Sequence, residues 1–133
     1  MEFHEGEVSR TVVNFRLRSF TVRHVPRFSS VGYRLTAGSA SLAYTGNLGP
    51  KQDDAFFEMT RGVDVLLIEA AASRPSSETH LAASEAVAFG RKAGAKRVVL
   101  THLRDSIIHL AQTEASADPD FATMAEDGLI INL

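Results

Sequence analysis

The 133-residue chain contains no cysteine, which excludes disulfides, zinc ribbons and thiol nucleophiles together. It has no apolar run approaching the roughly 20 residues that span a bilayer; the longest is Val65–Ile68 with its neighbours. It lacks an excess of basic charge, since Lys and Arg total 14 against 16 for Asp and Glu, a formal charge of −2. A general polyanion binder is thereby disfavoured, because such affinity rests on clustered positive charge. The opening Met1-Glu2-Phe3-His4-Glu5-Gly6-Glu7 is acidic where a secretion signal is basic and then apolar, so the expectation is a cytoplasmic protein. No period of 20–50 residues recurs, which removes solenoids. The phosphate-loop, dinucleotide, nucleophile-elbow and His-Glu-x-x-His patterns are all missing.

What is present is a foldable composition, 44% apolar and 23% charged, in a length that suits one domain over residues 1–133. Residues 12–17 and 20–25 alternate apolar and polar side chains with the two-residue period of half-buried strands, and Pro26 closes the second run. Residues 32–35 and 41–44 flank Ala37-Gly38-Ser39 as a hairpin. Asp53 to Arg61 reads as a short helix stopped by Gly62. Residues 63–69 and 97–102 are β-branched runs without alternation, as in strands covered on both faces. Between them, His80 to Ala93 carries apolar residues at helical spacing, with Gly94 as its cap. A helix over 106–114 and a strand over 129–132 complete the chain, an α/β order with helices packed on one sheet face.

Polar residues fall where buried strands end: Asn47, Glu69 and His102, with His80 opening the intervening helix. Ligand sites of α/β sheets lie beyond the carboxyl ends of strands. On spacing alone, the plainer reading is that strand ends need polar residues to meet water. His4 and His109 read as solvated, and the arginines at 16, 18, 23, 27 and 34 as the wet face of a sheet.

The order of these pieces resembles the C-terminal half of a metallo-β-lactamase-fold hydrolase, nearest the ribonuclease Z and phosphodiesterase-like branch. The resemblance is carried by His24 followed by Gly32-Tyr33-Arg34-Leu35, then Leu42-Ala43-Tyr44-Thr45-Gly46-Asn47-Leu48-Gly49-Pro50. Next come Gly62-Val63-Asp64-Val65-Leu66-Leu67-Ile68-Glu69-Ala70, His80-Leu81-Ala82, and Ala95-Lys96-Arg97-Val98-Val99-Leu100-Thr101-His102. It implies half of an αββα sandwich, one mixed β-sheet with helices on one face, without the N-terminal metal-binding half. It also implies metal-dependent hydrolysis of a phosphodiester or ester, with zinc as the cofactor. Matched by position, His102 stands as the family's last metal-binding histidine and Asn47 at its bridging aspartate. Glu69 stands as a glutamate that hydrogen-bonds the catalytic histidine or a metal ligand, His80 as the proton donor to the leaving oxygen, and His24 near the substrate.

Two departures shape the expectation. The family's His-x-His-x-Asp-His motif occurs nowhere in the 133 residues. Asn47 is an uncharged amide that cannot bridge two zinc ions as a carboxylate does. The chain alone is therefore expected to be inactive and to hold zinc poorly, because a catalytic zinc site uses three protein ligands and water. The alternative is a non-catalytic, self-associating descendant acting as a binding or structural module. An apolar sheet face carrying Val13, Phe15, Phe20 and Val22 is expected to be buried in a homodimer or against a complementing N-terminal half. A small phosphodiester, ester or RNA substrate is expected only when the site is completed, and no membrane partner is expected. Convergence of Asn47, Glu69, His80 and His102 at one sheet edge is the geometric expectation.

Overall fold

A computed structural model of the chain describes residues 9–12 and 14–133. Seven strands form one sheet in chain order: β1 (Ser9–Val12), β2 (Phe15–Val22), β3 (Ser30–Ala37), β4 (Ala40–Tyr44), β5 (Val65–Glu69), β6 (Arg97–Thr101) and β7 (Ala122–Met124). The pairs from β1 to β4 are antiparallel and those from β4 to β7 parallel. Helices α1 (Asp54–Thr60), α2 (Ala83–Ala93) and α3 (Ile108–Ala117) are the connections of the parallel half. This is the mixed α/β sheet expected from the sequence. Because β2 is separated from β4 by two antiparallel pairings, it runs in the direction of β4, β5 and β6. The carboxyl ends of these four strands therefore share one sheet edge.

The local chemistry explains most boundaries. Asp53 caps α1 by accepting the Phe56 N–H, and Gly62 adopts a positive φ just after the helix. Gly94, at φ 65°, ends α2 in the left-handed conformation expected of it. The hairpin turns at Gly38 and Ser39. Four expectations are corrected. The two N-terminal runs are not separate strands at 12–17 and 20–25: β2 passes through Arg18 and Ser19, and the break falls after Val12, because pairing with β3 continues without interruption from Arg16 to Val22. Helix α2 begins at Ala83, leaving His80 in the segment before it, where Ala82 forms an isolated bridge with Ala72. No strand forms over 129–132. The last strand is β7, where Ala122–Met124 pair with β6, and Ile130 is left exposed.

The fourth correction concerns the apolar face. Phe15 and Phe20 differ in parity, so they point to opposite sides of β2; Val13 lies outside the described residues. Phe20 and Val22 are buried beneath the helices with Ala43, Leu66, Ile68, Val98, Leu100, Phe56 and Ala86. Phe20 meets Phe56 edge-on at 5.9 Å between ring centroids. Its cross-strand partner is Gly32, where a Cβ would stand 2.6 Å from the Phe20 ring, so only glycine fits. The opposite face carries Leu17, Tyr33, Leu35, Leu42, Tyr44 and Leu67, placed in two neighbouring rows by the strand registers. None of these six belongs to the core beneath the helices, and Tyr33 and Tyr44 are exposed.

Candidate functional site

The site edge is assembled from strand ends. Glu69 is the last residue of β5, and its register partner Thr101 is the last of β6, so His102 follows immediately beside it. His102 turns off the strand with φ 56°, a left-handed conformation uncommon for a residue with a Cβ. His80 comes back to the same edge on the segment leading into α2. His24 lies two residues beyond the end of β2.

Glu69 is the centre of the arrangement. Its side chain is 1% exposed, and its two oxygens are fully engaged. Oε2 accepts the Ala71 N–H at 3.0 Å and Oε1 the Leu81 N–H at 3.1 Å. His80 Nδ1 lies 3.1 and 3.2 Å from the two oxygens. A buried carboxylate is costly unless it receives donors, and here three surround it. Since a carboxylate only accepts, His80 carries a proton on Nδ1, which leaves Nε2 as its nitrogen for the site. His102 Nδ1 stands 3.8 Å from Oε2, beyond hydrogen-bond length but within ion-pair range. The His80 and His102 rings are 5.4 Å apart, and the His24 ring is 4.9 Å from His80. His24 Nδ1 donates to the Thr79 carbonyl at 2.6 Å, which fixes its tautomer in the same way.

The structure thus brings together Glu69, His80 and His102, with His24 against them. Asn47 follows β4 at the same sheet edge, but its side chain is exposed and makes no hydrogen bond among the described residues. His109 is exposed on α3, and His4 lies outside the described residues. Sequence reasoning missed Glu85, which accepts the N–H groups of Ser76 and Ala82 at 2.9 Å each and so ties down the loop bearing His80. It also missed Gln52, which holds the backbone beside His24. Glu85 sits three residues after Ala82, the offset of a capping-box glutamate, but an alanine at the cap position hid it.

A model of the beta-lactamase superfamily domain matches residues 1–103. The chain belongs to this family. The fold of this superfamily chain is similar to that of the metallo-beta-lactamase fold protein YhfI from Bacillus subtilis, with TM-score 0.75 and 24% identity over 92% of this chain and 51% of that one. A diphosphatase of the PhnP family aligns at TM-score 0.76 and 25% identity, over 94% of this chain and 46% of that one. The short form of human tRNase Z aligns at 0.71 and 21%, over 92% and 44%. In sequence, an uncharacterized protein of Mycobacterium tuberculosis is 37% identical over 94 residues, 64% of this chain and 34% of that protein. The chain spans about half the length of these solved structures and a third of the mycobacterial relative.

Membership suggests metal binding, and Glu69, His80 and His102 offer ligand atoms within 4.8 Å of one another. The donor chemistry of these residues falls short of a complete catalytic zinc site. Glu69 already accepts from Ala71, Leu81 and His80, so it suits an orienting role better than a ligand's. Two imidazoles are left, one fewer than a catalytic zinc needs from the protein. Among the described residues, no helix is long and apolar enough to cross a membrane.

Proposed function

We propose that this chain carries the C-terminal share of a phosphodiester-hydrolase site and that, alone, it neither holds zinc tightly nor turns over substrate. The observation that supports this reading is the buried Glu69 carboxylate bonded to His80 Nδ1 and facing His102. That arrangement orients two imidazoles toward one edge of the sheet. His80, its Nδ1–H held by Glu69, keeps Nε2 for acid–base work and is suited, once that nitrogen is protonated, to give a proton to a leaving alkoxide oxygen. His102 fits a metal-ligand role, and His24 a contact with a substrate phosphate. The similarity to a diphosphatase and to a tRNase supports a phosphate-ester substrate class. The remaining ligands would come from a complementing half, because Asn47 offers only a neutral amide.

The test is elemental analysis of dialysed protein together with a generic phosphodiester assay in zinc or manganese. Sub-stoichiometric zinc and no turnover above buffer are expected. Clear turnover abolished by His102→Ala would overturn the reading. A second reading, a non-catalytic self-associating module, is favoured by one observation: the apolar sheet face of Leu17, Tyr33, Leu35, Leu42, Tyr44 and Leu67 that the helices leave open.

A further inference from the structure

His24 reaches the site from a loop, and its own strand does little to fix it. The β2–β3 ladder ends at Val22 opposite Ser30. Beyond that point the backbone is held by a side chain. The Arg23 N–H donates to Gln52 Oε1 at 2.9 Å, and Gln52 Nε2 donates back to the Arg23 carbonyl at 2.6 Å. The same Nε2 donates to the Gly49 carbonyl at 2.9 Å, and the Gly49 N–H donates to the Arg23 carbonyl at 2.7 Å. One primary amide therefore supplies Arg23 with the pair of hydrogen bonds that a neighbouring strand gives inside a sheet. Gly49 allows the packing: a Cβ there would stand 3.0 Å from the Glu78 carbonyl, 3.5 Å from that of Arg23 and 3.7 Å from that of His24. On the far side, Thr79 receives the His24 Nδ1 proton.

We infer that Gln52 is the positioning residue of His24, locking the ring beside His80 with Nε2 left as its nitrogen for the substrate. The inference rests on the proposed role of His24 in the site. Neither neighbouring contact can replace the amide. The Arg23–Asp53 ion pair, at 3.0 Å, is exposed on both sides and anchors a side chain, not the Arg23 peptide. The Thr79 carbonyl holds only the ring. Without Gln52, the Arg23 peptide loses one partner on its N–H and one on its carbonyl, and the histidine that follows is free to swing off Thr79.

The experiment uses the full chain and long-range proton–nitrogen correlation spectra of the imidazoles, in wild type, Gln52→Ala and Gln52→Glu. In wild type His24 shows one tautomer, protonated on Nδ1. In Gln52→Ala it becomes a mixture while His80, held by Glu69, keeps its wild-type signature. Gln52→Glu still accepts from the Arg23 N–H but sets a carboxylate oxygen against the Arg23 and Gly49 carbonyls, so a loss at least as large as in Gln52→Ala is expected. A single His24 tautomer in Gln52→Ala overturns the inference. So does a parallel change at His24, His80 and His102, which would mark general loosening; should Gln52→Ala fail to fold, Gln52→Glu carries the same two outcomes. Titrating inorganic phosphate into wild type separates the two ideas. No shift at His24 would sink its substrate role while leaving the positioning result intact.

Discussion

At the scale of single residues, the site is organised around one buried charge. Glu69 satisfies two backbone N–H groups and one imidazole, all supplied by segments distant from β5 along the chain or by the turn leaving it. Glu69→Ala leaves both buried N–H groups without a partner, at about 1–3 kcal/mol each. We expect it to lower unfolding stability by roughly 3 kcal/mol, read as a drop in the urea midpoint; an unchanged midpoint would mean that water replaces the carboxylate at no cost. Asn47→Asp would complete a three-ligand set only if the new carboxylate reached both imidazoles; the side chain at 47 is exposed and bonds to neither, so zinc content is expected to stay sub-stoichiometric. Equilibrium dialysis showing one tightly held zinc in that variant would show that the missing motif matters less than argued.

At the scale of elements, two contacts set how the layers meet. At the sheet edge opposite the site, Asp64 accepts the Ser41 N–H at 2.7 Å and the Ser41 hydroxyl at 3.0 Å, and pairs with Lys96 at 2.7 Å. It thereby joins the starts of β4, β5 and β6. The Lys96 ammonium first, then the two Ser41 donors, hold its carboxyl down from the ordinary 3.8 to about 2. A depressed carboxylate contributes stability that is complete above its unfolded value and fades as pH falls toward its folded one. Stability should therefore decline between about pH 4 and pH 2, and Asp64→Asn should flatten that part of the urea-midpoint profile. The second contact is α2 on β6, where a Cβ on Gly90 would fall 2.1 Å from Val98 Cγ2. Alanine gains up to about 1 kcal/mol of helix propensity over glycine. Overpacking costs typically 1–3 kcal/mol. Gly90→Ala should therefore be net destabilising, and a raised melting temperature would show that α2 can lift off the sheet without penalty.

At the scale of the whole molecule, the helices cover one side of the sheet among the described residues. The helices take the face of Phe20, Leu66 and Val98, and on the opposite face, in the rows through Tyr33, Tyr44 and Leu67, the two tyrosines are exposed. On the self-associating reading, the chain should run as a dimer by light scattering at micromolar concentration. Tyr44→Lys should then shift it toward monomer, because a charge buried at the centre of an apolar interface is expensive. A monomeric wild type would leave a complementing half as the occupant of that face.

Much of this was legible in the residues, for reasons that are local. Alternation, β-branched runs, Asp53 before a helix and glycines at 62 and 94 act through neighbours in sequence, so they placed the strands and helices to within a few residues. The positions of Glu69, Asn47 and His102 after apolar runs likewise placed them at one sheet edge. What alternation could not supply was phase across a break. Reading residues 12–25 as two strands hid the parity of Phe15 and Phe20, and so misassigned the open face. The apolar run at 129–132 resembles a strand, yet a strand exists only where a partner offers its hydrogen bonds, and β7 took that place beside β6. Only tertiary structure decided most of what Glu69 holds, because Leu81 and His80 meet it through chain closure, and Ala71 alone, two residues on, is its neighbour in sequence. The same is true of His24, fixed by Gln52 and Thr79 from segments 28 and 55 residues away, a convergence that no periodic signal in the sequence could encode.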